Sequence, residues 1–121
     1  MQNPARAYGK VAKQISSPRE LEADLLLQAA SRLQAAQAAW DRTSPELHNA
    51  LLYNRKLWTI FLTSATDKDS QLAKSVRQNI ANLGLFVMKQ TMAITGDPKP
   101  EKLAPLININ RELAAGLLGR A

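Results

Sequence analysis

Cysteine is missing from this chain of 121 residues, and histidine occurs once, as His48. The first absence excludes disulfides, thiolate zinc sites, iron–sulfur centres and a cysteine nucleophile. The second leaves a Ser-His-Asp arrangement with one available base, and a metal site with one imidazole among carboxylates. Val and Ile together number nine, against 19 Ala and 18 Leu, a bias that favours helix over strand. No long hydrophobic run is present either. The longest stretch without charge, Gln78–Met88, has eleven residues, short of the roughly 20 that span a bilayer, so no membrane insertion is expected. The five glycines are scattered and none belongs to a GxGxxG or GxxxxGK phosphate loop.

What is there begins with charge. Sixteen Lys plus Arg stand against ten Asp plus Glu, a net charge of +6, which suits an acidic partner or RNA but also many small soluble domains. The basic residues are spread along the chain, and the aromatics fall mostly on apolar helical faces, so RNA contact has little beyond the charge to support it. Arg6, Lys10 and Lys13 precede the first acid, Glu20, but no continuous apolar core of a secretory signal accompanies them, and a cytoplasmic location is expected. The carboxylates sit mainly at helix starts and turns, where they favour the positive end of the helix dipole. No apolar cleft for a general acid/base pair is marked. A non-enzymatic protein without cofactor or metal is expected.

Proline and serine divide the chain into helical blocks. Asn3-Pro4 opens a first one carrying Tyr8, Val11, Ala12 and Ile15. Ser17-Pro18-Arg19-Glu20 reads as a capping box with Pro preset inside it, opening a long helix whose face is read as Leu21, Leu25, Ala29, Leu33, Ala36 and Trp40. Ser44-Pro45-Glu46 repeats the device before Leu47, Leu51, Asn54, Leu57, Trp58, Phe61, Leu62 and Ala65. Leu72, Val76, Ile80, Leu83, Val87 and Ile94 mark another long helix, with Gly96 placed as its C′ residue. After the linker Asp97-Pro98-Lys99-Pro100, a last helix beginning near Pro105 carries Leu106, Ile107, Asn110, Leu113, Ala114 and Leu117. No second composition regime or internal repeat appears. The fold class is therefore all-α: one domain over 1–121, a bundle of about five helices, two or three of them long, with blocks 1–16 and 99–121 expected to be mobile or docking segments.

Two features of these stripes bear on function. Trp58 completes an apolar face and fits either the core or a groove for a partner helix, with Arg55 three residues before it. Asn54 and Asn110 interrupt apolar stripes, so each amide needs a partner, supplied either across the bundle or by a bound helix.

The stretches Pro18-Arg19-Glu20-Leu21-Glu22-Ala23, Asn54-Arg55-Lys56-Leu57-Trp58 and Leu106-Ile107-Asn108-Ile109-Asn110, with Ala7-Tyr8 before them and Gly116-Leu117 after, resemble in order and spacing the FlaF family of alphaproteobacterial flagellar biosynthesis regulators. The resemblance covers almost the whole chain and brings no catalytic residues. It implies a cytoplasmic helical protein that promotes flagellin synthesis and export together with the companion regulator FlbT, which acts on flagellin messenger RNA. Two mechanisms are compatible with it: a secretion chaperone that binds an amphipathic terminal helix of flagellin, and post-transcriptional control through flagellin mRNA or RNA-bound FlbT. For the first, helix-in-groove binding nominates Asn54, Arg55, Trp58 and Phe61, with Ile107, Asn110 and Arg111 of the last helix, as the partner surface.

Overall fold

Serine followed by proline opens the first two helices of the structure, a computed structural model in which residues 17–120 are described. In α1 (Pro18–Ala38) the Ser17 hydroxyl accepts from the Glu20 N–H at 3.0 Å, and in α2 (Pro45–Thr66) Ser44 accepts from the Leu47 N–H at 3.1 Å. Each satisfies one of the orphan donors of a helix start, and each proline occupies a position that needs no donor. Of the reciprocal capping box expected at α1, only the Ser17 half forms among the described residues. Helix α3 (Lys74–Gly96), a 3₁₀ turn (Pro100–Leu103) and α4 (Ala104–Leu117) complete the order. The described chain is thus all helical, with four α-helices against the expectation of about five. The block opened by Asn3-Pro4 lies outside the described residues.

The connections are held by side chains. The Arg77 Nε donates to the Ala65 carbonyl at 2.7 Å, covering an acceptor that the end of α2 leaves free. The Lys102 ammonium donates to the Asp97 carbonyl at 2.8 Å and lies 3.2 Å from its carboxylate, which holds that carboxyl below its ordinary range. Gln37 of α1 and Gln90 of α3 then clasp the 3₁₀ turn, donating to the carbonyls of Pro100 and Lys102 at 3.0 and 2.8 Å. Gly96 is the last residue of α3 rather than its C′ residue, and the one positive φ among the described residues, 72°, belongs to Gly119 after α4.

One apolar core joins all four helices: Ala23, Leu26, Ala29, Ala30, Leu33 and Ala36 of α1, Leu47, Ala50, Leu57 and Trp58 of α2, Val87 and Ile94 of α3, and Leu106, Ile107 and Ala114 of α4. The alanines let α4 lie closely along α1, its main neighbour. The inward face of α1 keeps Ala29, Leu33 and Ala36 of the expected stripe and adds Ala23, Leu26 and Ala30, while the stripe's first member, Leu21, turns outward. Leu21 is 48% exposed and Leu25 and Trp40 are half-buried, because leucines at 21, 25, 26 and 27 surround this helix and leave the tertiary contacts to choose a face.

Helix α3 packs chiefly on α2, and the two meet closely where Gly84 faces Leu62. A Cβ on Gly84 would lie 2.6 Å from Leu62 Cγ and nearer still to one of its methyls. Gly84→Val is therefore expected to destabilise the fold by about 1–3 kcal/mol through overpacking. Adding Leu62→Ala recovers part of that loss, with a coupling of about 0.5–3 kcal/mol in a double-mutant cycle measured by urea unfolding. Additive effects of the two substitutions would contradict the contact.

Candidate functional site

Trp58 and Asn54 are four residues apart on α2 and so share a face. Opposite them on α4 stands Asn110. The Trp58 indole Nε1 donates to Asn110 Oδ1 at 2.9 Å, and Asn110 Nδ2 donates to Asn54 Oδ1 at 2.7 Å. All three side chains are completely buried. The backbones of α2 and α4 stay well apart, so these side chains and their apolar neighbours span the space between the two helices. Phe61, one turn beyond Trp58, is half-buried and meets the indole edge-on with ring centroids 5.5 Å apart. Ile107, one turn before Asn110, is buried beside it. A single polar atom of the group, Asn54 Nδ2, has no acceptor.

This arrangement decides between the two readings of the asparagines: they pair across the bundle. The Asn54-to-Phe61 face and the last helix do meet, but as core and not as an open groove. Asn54, Trp58, Ile107 and Asn110 are sealed, because the indole fills the gap between α2 and α4 and the Asn110 amide answers both neighbours. Arg55 and Arg111 are exposed. They are not brought together with the buried four as one surface; the Arg111 guanidinium donates to the Gln34 side chain on α1.

Exposed apolar surface lies elsewhere, mainly on α3. Leu85, Phe86 and Met92 of α3 and Ile60 of α2 are exposed, Met92 at 72% and Ile60 at 61%. Ala81, Leu85, Met88 and Met92 recur at i, i+4, i+7 and i+11, a second apolar strip beside the Val87–Ile94 core stripe. That strip is a sequence signal, but on a helix already provided with one apolar face it passes for surplus core.

Residues 4–117 match the family model described as flagellar protein FlaF. The chain belongs to the FlaF family. No curated protein and no solved structure matches it. In this FlaF-family fold no helix among the described residues is long and apolar enough to cross a membrane, and no group of three or more His, Asp or Glu among them is placed to hold a metal ion. A surface depression of about 580 Å³ between α1 and α2 is lined by Ala35, Ala36, Ala39 and Ala50 together with Arg32, Glu46 and Asn49. The Arg32 guanidinium sits 4.3 Å from the centre of the Tyr53 ring, so its charge is already engaged at the α1–α2 seam.

The hydrogen-bond chain makes an asymmetric prediction. Asn110→Leu orphans both the Trp58 N–H and the Asn54 carbonyl oxygen, each costing about 1–3 kcal/mol when buried. Asn54→Leu orphans only the Asn110 amide and removes a group that is already unpaired. Urea unfolding is expected to show the larger loss for Asn110→Leu; equal losses would refute the chain as drawn.

Proposed function

We propose that this FlaF-family protein is a non-enzymatic, cytoplasmic regulator of flagellin synthesis and export, acting as a chaperone that binds a helical segment of flagellin and works alongside FlbT. Family membership supports the flagellar context. The observation that carries the binding role is the contrast between a sealed polar interior and large apolar side chains left outside it on one face of α3, Leu85 and Met92 with Met88 between them. Contiguous exposed apolar side chains on a small domain mark an interaction surface. An amphipathic helix is the partner such a surface accommodates, since its own apolar stripe repeats every three to four residues.

Chaperoning in this form would cover an assembly-prone flagellin segment until export. Covering that segment links the supply of flagellin to its use. Co-elution on size exclusion tests the reading: purified protein and flagellin, mixed at tens of micromolar with FlbT present or absent, are expected to leave the column as a complex that persists in raised salt. Flagellin that elutes unchanged under both conditions refutes the chaperone. Binding of flagellin messenger RNA that falls steeply with salt, without a flagellin complex, would instead establish the RNA-directed mechanism, because phosphate contacts release counterions.

A further inference from the structure

Two stretches of this chain contain no acid at all, residues 47–66 and residues 70–96. They are α2 after its first turn and the whole of α3, the two helices that pack on each other. Their charged residues are Arg55 and Lys56 on α2 and Lys74, Arg77 and Lys89 on α3. Arg77 is occupied by the Ala65 carbonyl. Arg55, Lys56 and Lys89 are exposed, and among the described residues no salt bridge engages them; those that form join Lys99 and Lys102 to Asp97.

These three charges stand beside the exposed apolar strip. Arg55, Lys56, Thr59 and Ile60 of α2 and Met88 of α3 line one open depression of about 520 Å³. On α3, Leu85, Lys89 and Met92 follow at intervals of four and three, so Lys89 rises between two exposed apolar side chains. A helix laid along this surface would place an apolar stripe against Leu85, Met88 and Met92 of α3 and its two polar margins against Arg55 and Lys56 of α2 on one side and Lys89 on the other. Basic margins repel Lys and Arg and favour Asp and Glu.

We infer that the outer face of the α2–α3 hairpin is the docking surface, and that its occupant is an amphipathic helix whose apolar stripe is bordered by acidic residues. The inference rests on the helix-binding role proposed above and adds to it the location and the charge of the partner. Electrostatic complementarity at the margins sets which helices are accepted, and the apolar strip supplies most of the buried area.

The test uses the full chain and two labelled model peptides of about 18 residues, five helical turns. Both carry the same Leu stripe, with Glu at the margins in one and Lys in the other. Fluorescence anisotropy is expected to show at least roughly tenfold preference for the Glu peptide. Leu85→Glu/Met92→Glu should abolish binding of the Glu peptide, while Leu27→Glu on α1 leaves it unchanged. The charge reversal Arg55→Glu/Lys56→Glu/Lys89→Glu should switch the preference to the Lys peptide, an outcome that general destabilisation cannot mimic; circular dichroism melts confirm that the variants fold. Equal binding of both peptides, no binding of either, or Glu-peptide binding that survives Leu85→Glu/Met92→Glu overturns the inference. Binding of a single-stranded RNA oligomer that depends on Arg55, Lys56 and Lys89 while the Glu peptide fails to bind overturns it in favour of a nucleic-acid surface. Flagellin separates this inference from the chaperone reading. If flagellin binds and survives both sets of substitutions, the surface is wrong and the chaperone stands; if the Glu peptide binds as described and flagellin does not, the surface stands and flagellin is not its ligand.

Discussion

The hydrogen-bonded chain from Trp58 through Asn110 to Asn54 connects two helices of the bundle, α2 and α4, whose backbones lie apart. An indole N–H and two amides taken out of water must find partners inside, since an orphaned buried donor or acceptor costs about 1–3 kcal/mol. Only one relative height of α2 and α4 provides them. A shift of one helical turn, 5.4 Å, would take Asn110 out of reach of at least one of its two partners. Asn54 Nδ2 remains unpaired even in this register, so the group is better understood as specifying one packing than as maximising stability. Buried polar residues in coiled coils fix register in the same way, at a cost in stability.

Once α2 and α4 are locked, the other helices have little freedom. The small residues of α1 let α4 lie close along it, and the capped start of α2 folds back on α1 after a short connection. Helix α3 has no direct neighbour in α1 and is fastened through α2, through the Gly84–Leu62 contact and through the clasp of Gln90 on the 3₁₀ turn. Its core residues Val87, Thr91 and Ile94 belong to its second half, while Val76 near its start is exposed. A helix attached along one side keeps its other side for solvent or for a partner. The proposed binding role rests on the apolar residues there, and the absence of acids from α2 after its first turn and from α3 gives that face its sign.

Much of the helical plan was legible. Ser17-Pro18 and Ser44-Pro45 announced their helix starts because capping is local chemistry, readable within four residues. The i, i+3, i+4, i+7 stripe of α2 named Leu47, Leu57 and Trp58 as inward-facing, as they are. On α1 the expected stripe holds at Ala29, Leu33 and Ala36 but not at Leu21, since a helix with leucine at 21, 25, 26 and 27 has several apolar faces at its start and local pattern does not rank them. Four residues of the expected partner surface, Asn54, Trp58, Ile107 and Asn110, are buried for a related reason. Asn54, Trp58 and Asn110 look like recognition residues when each helix is considered alone, and they become interior once they face one another. Leu85 and Met92 look like ordinary core until the packing of α3 leaves them outside.

The amino-acid sequence by itself determined the all-helical class, most helix boundaries, the exclusion of thiol chemistry and the family to which the chain belongs, because each of these depends on composition, on neighbours a few residues apart or on motifs read in order. Only the tertiary structure decided which apolar stripe is core and which is surface, that the two asparagines are hydrogen-bonded across the bundle, and that Arg55, Lys56 and Lys89 border an exposed strip. Those facts depend on pairing residues far apart in the chain, 56 positions for Asn54 and Asn110, and burial or exposure of a side chain is settled by what the other helices bring to it.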